Sequence, residues 1–227
     1  MIIDLTMPLS DGMAAYPGEP SATFTPFTTI ARDRVAMASV NLFSQLGTHL
    51  DAPAHFIDGG TTVDRLDLGH CVGDAVVVRL GPLGPGTVID AERLDAVRGQ
   101  WDGARRVVLS TGWSRLAGTP AYFADWPKLS VEAAELLHGA GVAFTGLDTP
   151  SPGDDGSNVA LHQVLLRDDC VLAECLVNVE RLPDRFTLIC LPLPLVGLDG
   201  SPVRAVAVTD TAGHSGRSEE PLPWHAR

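Results

Sequence analysis

A chain of 227 residues that is 45% hydrophobic and 19% charged can bury a substantial core within one large domain. Its formal net charge of -12 at pH 7 argues against nucleic acid and anionic membrane surfaces as partners, because both attract clustered Lys and Arg. The longest apolar stretches, 74–80 and 186–196, are too short to cross a bilayer core of about 30 Å. The first residues lack the basic and apolar regions of a secretory signal, so we expect a cytoplasmic protein.

Runs rich in β-branched and other apolar residues recur between Gly and Pro turn signals, which is typical of strands. These runs are 2–6, 74–80, 106–110, 142–146, 170–173 and 203–208. Three segments between them carry apolar residues at helical spacing, namely 91–97, 131–138 and 158–166. Ser130 and Ser157 stand where the last two helices need N-caps. The order of elements predicts an α/β fold.

Two segments carry no regular pattern. Residues 111–126 are aromatic and irregular, and we expect them to form a covering loop. Residues 211–227 contain few apolar side chains, which predicts a loose tail, or an arm on a partner subunit, after a domain that spans 1–210. We expect His214 and His225 in this tail to be solvated surface residues. The cysteines have no C-x-x-C spacing and are predicted to be reduced core residues: Cys71, Cys170, Cys175 and Cys190.

Residues 45–55 read Gln-Leu-Gly-Thr-His-Leu-Asp-Ala-Pro-Ala-His and concentrate the candidate chemistry of the chain. Successive side chains of an extended segment point to opposite faces, so residues at odd positions are predicted to project toward one cavity. Gly47 and Pro53 share this parity and could bend the segment so that its ligands converge. The candidate metal ligands and proton carriers at these odd positions are Gln45, His49, Asp51 and His55.

Imidazole nitrogen and carboxylate oxygen together suit zinc or a harder ion such as manganese. A bound divalent ion would lower the pKa of a water toward about 7 and polarise a carbonyl group, which is the chemistry of hydrolysis. A histidine that does not bind the metal could carry the proton from water to the leaving group, and we assign this role to His55. From this segment alone, the alternative that these polar residues only make hydrogen bonds near a turn stays open.

The segment resembles the His-x-Gly-Thr-His-x-Asp-x-Pro-x-His signature of the cyclase family of metal-dependent hydrolases, which includes bacterial kynurenine formamidases and isatin hydrolases. The resemblance extends to residues 16–18, 111–113, 146–151 and 201–206, and so covers nearly the whole chain. It implies a compact single α/β domain with a mixed sheet, a barrel-like core and flanking helices. It also implies a homo-oligomer, a dimer or a tetramer, that binds a small-molecule substrate.

The resemblance implies a set of metal ligands. In formamidases of the family, a downstream histidine and a glutamate twelve residues later complete the site, and His162 and Glu174 have this spacing. His49 and Asp51 then bind the first ion, Asp51 and Glu174 bridge two ions, and His162 binds the second. His55 remains the proton carrier. An isolated buried carboxylate at Glu174 would otherwise be costly, because burial removes it from water.

Two positions depart from the family pattern. Gln45 replaces the first histidine, and its amide oxygen is a weaker ligand that cannot act as a base. The first metal position is then empty, filled by a harder ion or completed by water. Tyr16 stands where formamidases carry a tryptophan that packs on the aromatic substrate, and a tyrosine can still stack on a ring. The alternative for Tyr16 is packing within the N-terminal turn.

The resemblance implies hydrolysis of an aryl formamide such as N-formylkynurenine. Two alternatives stay open: opening of a cyclic amide or lactone, such as isatin or a dienelactone, and a non-catalytic small-molecule-binding protein with a decayed metal site. The presence of His55, His162 and Glu174 favours an enzyme, because a decayed site would be free to lose its proton carrier.

Overall fold

A computed structural model describes residues 1–209. The predicted tail at 211–227, with His214 and His225, lies outside the described residues. Within residues 1–209, no helix combines the length and the apolar character that crossing a membrane requires.

The described chain alternates short strands, helices and single 3-10 turns. The strands are β1 Ile2–Asp4, β2 Thr23–Thr28, β3 Met37–Asn41, β4 His49–Asp51, β5 Val72–Arg79, β6 Val88–Ile89, β7 Arg106–Ser110, β8 Lys128–Leu129, β9 Phe144–Leu147, β10 Val171–Glu174, β11 Arg185–Pro192 and β12 Gly200–Val208. The helices are α1 Ile30–Asp33, α2 Leu68–Cys71, α3 Ala91–Ala96, α4 Val131–Gly139 and α5 Asn158–Leu165.

One sheet of eight strands, in the order β1-β12-β11-β5-β7-β9-β10-β4, forms the body of the protein. Strand β4 also pairs with β12, so seven of these strands close into a barrel and β1 adds to the outside of β12. Strands β5, β7, β9 and β10 are parallel, and their remaining neighbours are antiparallel. The predicted α/β fold with a mixed sheet and a barrel-like core is confirmed.

The apolar core lies on both faces of the parallel strands. Along β7, Val108 packs inside one cluster with Leu50 and Ala173, while Val107 and Leu109 pack against the helices on the other side. Because side chains alternate along a strand, a strand that is buried on both faces reads as a continuous apolar run. This is why β7 has the bounds that the sequence predicted.

The other predicted elements are present with bounds that differ by a few residues, and β4 lies within the segment 45–55 that was predicted to be extended. Strands β2, β3, β6, β8 and β11 and the short helices α1 and α2 were not predicted. Ser130 caps α4, since its hydroxyl accepts a hydrogen bond from Ala133 N. Ser157 precedes α5 but makes no such bond, because its hydroxyl pairs with Asp154. Residues 111–126 are irregular apart from two 3-10 turns, and they bury Trp113 and Tyr122.

Candidate metal centre

The candidate metal centre is built where β4 contacts β10. The two strands are antiparallel, with His49 opposite Glu174 and Asp51 opposite Leu172. Side chains two residues apart on a strand point to the same face, so His49 and Asp51 project together beside Glu174. All three of these polar side chains are buried.

The extended segment around these residues is shorter than the sequence indicated. Only His49–Asp51 is strand, whereas Gln45 lies in a turn before it and His55 ends a 3-10 turn after it. Only part of the segment is extended, yet Gln45, His49 and His55 line one cavity, as the prediction required. The bends occur at the two residues suggested for them: Gly47 has a φ of 63° and Pro53 begins the 3-10 turn.

The fourth candidate ligand, His162, comes from helix α5. Its Nε2 lies 3.3 Å from Glu174 Oε1 and 3.5 Å from Asp51 Oδ2. On the other side, Nε2 of His49 lies 3.4 Å from Glu174 Oε2 and 3.6 Å from Asp51 Oδ1. Each carboxylate therefore presents one oxygen to each histidine.

Backbone carbonyl groups orient both imidazole rings. Nδ1 of His49 lies 2.9 Å from the carbonyl oxygen of Gly47, and Nδ1 of His162 lies 2.8 Å from that of Asn158. Because a carbonyl oxygen only accepts hydrogen bonds, each Nδ1 donates, and Nε2 of the neutral ring turns a lone pair toward the carboxylates. This arrangement requires either a second proton on each ring or a cation among the four side chains.

In the absence of a cation, the carboxylates favour protonated rings. Burial lowers the pKa of His162, but hydrogen bonds to Asp51 and Glu174, together with their charges, raise it to about 10. Burial likewise opposes protonation of His49, yet hydrogen bonds to Cys175 and Glu174 hold its pKa well above the usual value. Burial raises the pKa of Asp51, but the hydrogen bond from His162 and the charges of the nearby histidines lower it overall.

The donor set fits a divalent metal ion. When the two rings are neutral, both oxygens of Asp51 and Oε1 of Glu174 are buried without a hydrogen-bond donor among the described residues, which is costly unless a cation offsets their charge. Ligand atoms about 2.1 Å from a shared ion at tetrahedral angles lie about 3.4 Å from one another. The four nitrogen–oxygen distances between the histidines and the carboxylates are close to this value.

His55 lies at the edge of the same group. Ligand atoms of Asp51, His55 and His162 lie within 4.8 Å of one another, as do those of His49, Asp51 and Glu174. Asp51 belongs to both groups, which is where a carboxylate that bridges two ions would lie. The fold thus brings together five of the residues that the sequence singled out.

Asp199 joins two of the predicted site residues, although no sequence pattern indicated it. Its Oδ2 accepts a hydrogen bond from Gln45 Nε2 at 2.7 Å and lies 3.3 Å from His55 Nδ1. The hydrogen bond from His55 holds the pKa of Asp199 far below its usual range, against the effect of partial burial. Because Gln45 Nε2 is occupied, its buried and unpartnered Oε1 is the atom that Gln45 can offer to an ion.

The buried group opens into a cavity of about 140 Å³. Tyr16 lines this cavity and packs edge-on against Phe123 and Trp126, with ring centroids 6.4 and 5.8 Å away. It therefore packs on the aromatic segment 111–126 while it faces the cavity, and its stacking on a substrate ring stays a prediction. The wall also contains Phe56, which stacks on the His162 ring at 4.1 Å.

Cys175 differs from the other three cysteines. All four thiols are free and buried, as predicted. Cys175 is a buried member of a core cluster, as predicted. It also lines the cavity and has a φ of 57°, so its side chain forms part of the wall of the site as well.

Residues 3–154 match the model of the putative cyclase family. The chain belongs to the cyclase family. It is 34% identical over 214 residues to the kynurenine formamidase of Salinibacter ruber, with 90% of this chain and 96% of that relative covered. It is 31% identical over 208 residues to the kynurenine formamidase of Bacillus cytotoxicus, with 90% and 95% covered.

Solved structures share the fold of this cyclase-family chain. A crystal structure of an isatin hydrolase bound to the product analogue thioisatinate has a TM-score of 0.82 at 24% identity, with 91% of each chain covered. Isatin hydrolase A from Ralstonia solanacearum has a TM-score of 0.81 at 24% identity, with 92% of each chain covered. The predicted family and fold are confirmed. The predicted enzyme class, a metal-dependent hydrolase that uses a divalent ion, is confirmed as well.

Proposed function

We propose that this protein hydrolyses the formamide C–N bond of an aryl formamide such as N-formylkynurenine. The observation that carries the proposal is the buried group of two imidazoles and two carboxylates at the base of a cavity with aromatic walls. The proposal is supported by curated relatives, since kynurenine formamidases at least 30% identical cover about nine-tenths of the chain.

Four side chains would hold the divalent ion: His49, Asp51, His162 and Glu174. An ion bound there would lower the pKa of a water toward about 7 and polarise the formyl carbonyl group. Zinc or manganese is the proposed ion, which the mixed nitrogen and oxygen donors support. The buried Oε1 of Gln45 supports a place for this residue at the edge of the same site.

His55 is the proposed proton carrier. It is half-buried on the cavity wall, and its Nδ1 faces the Asp199 carboxylate, which keeps the other ring nitrogen available. The ring would take a proton from the attacking water and deliver it to the nitrogen of the leaving arylamine. Tyr16, Phe56 and Phe123 are proposed to hold the aryl ring, because aromatic side chains favour stacked or edge-on contact with a ring.

The test is metal-restored turnover. Chelator-stripped protein is reloaded with zinc or manganese and assayed against N-formylkynurenine, isatin and a small lactone, with metal content measured on the same sample. Turnover of the formamide that returns with metal supports the proposal. Turnover of isatin or the lactone alone contradicts the proposed substrate, and a lack of both metal and turnover supports the binding-protein alternative.

Variants connect this test to the proposed ligands. His49→Ala should lose bound metal and turnover together, because it removes a ligand and its oriented lone pair. His138→Ala is the matched control, since His138 lies on α4 outside the cavity lining and pairs with Asp168. Full activity of His49→Ala would contradict the ligand set.

We also propose that the protein is cytoplasmic and forms a homo-oligomer, either a dimer or a tetramer. Support for a subunit contact comes from the hairpin of β2 and β3, which exposes apolar side chains at Phe27 and Val40, with Ile30 just beyond it. Light scattering coupled to size exclusion would measure the oligomeric state. A monomer at micromolar concentration would contradict this part of the proposal.

A further inference from the structure

Glu19 stands on the wall of the cavity and has no role in the proposed metal centre. It ends a turn in which its backbone N–H donates to the carbonyl oxygen of Tyr16 at 3.0 Å. Gly18 has a φ of 93°, which is the conformation that the third residue of a type II turn needs, and Pro17 suits the second position. The turn therefore holds Tyr16 and Glu19 side by side, and both side chains line the cavity.

The carboxylate of Glu19 makes no hydrogen bond and no ion pair with any residue of 1–209. Nor is Glu19 part of either group of potential ligands. Burial raises its pKa, the charges of His49 and His55 act against this rise, and those of Glu174 and Asp51 add to it. Glu19 therefore shares the electrostatic environment of the metal centre without belonging to it.

The part of the cavity wall around Tyr16 lies among acidic side chains. Burial raises the pKa of Tyr16, and the charges of Asp155, Glu174 and Glu19 raise it further, whereas Asp154, which adds least, is paired with Lys128. Among the described residues that line the cavity there is neither Lys nor Arg. Outside the metal centre, the charged side chain on the cavity wall is Glu19, and Asp155 acts on the same part of the site. Because charges of one sign attract ligands of the other sign, this part of the wall favours a cationic group.

We propose that Glu19 binds the ammonium group of the substrate and makes the site selective for aryl formamides that carry an amine on their side chain. This inference rests on the proposed function. N-formylkynurenine carries such an ammonium group, whereas isatin, lactones and simple aryl formamides do not. A half-buried carboxylate without a partner gains a charge-assisted hydrogen bond only from the first kind of substrate.

Three formamides distinguish the effect of the ammonium group on binding from that of the rest of the substrate. N-formylkynurenine carries an ammonium and a carboxylate, N-formylkynuramine carries the ammonium alone, and 2-formamidoacetophenone carries neither. They are assayed with metal-loaded wild-type protein, Glu19→Gln and the matched control Glu92→Gln, whose side chain is exposed on α3 away from the cavity.

In Glu19→Gln we expect KM to rise roughly tenfold or more for both ammonium substrates, with kcat nearly unchanged, because hydrogen bonds to charged groups contribute most to binding. KM for 2-formamidoacetophenone should not change, and Glu92→Gln should match the wild type. Glu19→Asp, which keeps the charge, should retain part of the selectivity. Equal effects on all three substrates, or a loss of kcat, would overturn the proposal, since either result would give Glu19 a role in the chemistry or the fold.

Binding distinguishes this inference from the proposed function. If the wild type hydrolyses none of the formamides, the proposed function fails, and calorimetric titration with kynuramine and with 2-aminoacetophenone still tests Glu19. Kynuramine should bind wild type more tightly than Glu19→Gln by about tenfold, while 2-aminoacetophenone should bind both equally. Equal affinities of kynuramine for the two proteins would overturn the inference.

Discussion

Hydrogen bonds around the metal centre determine which atoms its side chains can offer. Carbonyl oxygens fix Nδ1 of His49 and His162 as donors, so Nε2 is the ligand atom of both rings. Asp199 orients Gln45 and His55 in the same way, because its Oδ2 accepts a hydrogen bond from Gln45 Nε2 and faces His55 Nδ1. Two residue-scale predictions follow from Asp199 and Gln45.

Asp199→Asn should lower kcat by about 10- to 100-fold, because a neutral amide no longer holds His55 in one tautomer and orientation. Steady-state kinetics would measure kcat, with KM as a second readout. Asp184→Asn serves as the control, because Asp184 is almost fully exposed, and a wild-type kcat in Asp199→Asn would contradict the prediction.

Gln45→His should tighten zinc binding by about tenfold or more, because an imidazole nitrogen is a stronger zinc ligand than an amide oxygen. Competition with a chromogenic chelator would measure the dissociation constant. Gln45→Ala removes the amide without adding a ligand and should bind zinc no more tightly than the wild type. If Gln45→His and Gln45→Ala bind zinc equally, position 45 lies outside the reach of the ion.

The sequence indicated some of these residues and not others for a physical reason. His49 and Asp51 stand two residues apart on one strand, so local geometry alone pairs them. His162 and Glu174 were found through the spacing of the family motif. Asp199 reaches Gln45 across 154 residues of sequence, and no local pattern carries that contact.

At the scale of elements, the turn before β4 sets the direction of the ligand strand. Gly47 has a φ of 63°, and its carbonyl oxygen accepts the hydrogen bond from His49. A Cβ added at Gly47 would lie 2.9 Å from Leu9 Cδ2, a flexible side-chain end that can shift. Backbone strain therefore dominates the expected effect of a substitution there.

Gly47→Ala should lower the free energy of unfolding by about 1–2 kcal/mol, because L-residues are disfavoured at this φ. It should also weaken metal binding, because His49 loses part of its support. Urea unfolding of metal-free protein would measure stability, and calorimetry would measure metal affinity. Gly139→Ala in α4 is the control, since open space surrounds Gly139 and its φ is ordinary. This variant should raise the free energy of unfolding by up to about 1 kcal/mol, because Ala favours the helix more than Gly does. Equal stability of Gly47→Ala and the wild type would contradict the argument.

Elements were predictable where local pattern and burial agree. Strand β7 is buried on both faces and its apolar run has the observed bounds, whereas β4 has three residues, two of them polar, and only the alternation of the candidate ligands indicated it. The turn signals between elements do not specify which strands pair. Closure of the barrel through β4 and β12 therefore could not be read from the chain.

At the scale of the whole molecule, one strand both closes the barrel and carries ligands. Strand β4 pairs with β10 on one side and β12 on the other, so His49 lies opposite both Glu174 and Pro202. The metal centre therefore forms only when the sheet closes, and metal binding is coupled to folding of the whole domain. A second buried carboxylate, Asp148, links two neighbouring barrel strands away from the proposed ligands.

Asp148 follows β9 and accepts hydrogen bonds from the segment after β7, including Thr111 N at 3.0 Å and Gly112 N at 2.8 Å. Burial raises its pKa to about 6, and the hydrogen bonds only partly offset that rise. An unfolded Asp has a pKa near 3.9. Between these values the folded chain keeps a proton that the unfolded chain releases, so the contribution of Asp148 is fully present below about pH 4 and is lost as pH rises through 6.

The stability of wild type relative to Asp148→Asn should therefore fall by about 2 kcal/mol between pH 4 and pH 7, since a pKa difference of one is worth about 1.4 kcal/mol and the unfolded Asp is already about half ionised at pH 4. Taking the difference between the two proteins removes the contributions of other titrating groups that they share. Urea unfolding of metal-free protein at pH 4, 5, 6 and 7 would measure it. Asp95→Asn, an exposed residue of α3, should show no such trend. A difference that stays constant across this range would mean that Asp148 is already ionised in the folded protein at pH 4, because its hydrogen bonds from Thr111 and Gly112 then offset the whole effect of burial.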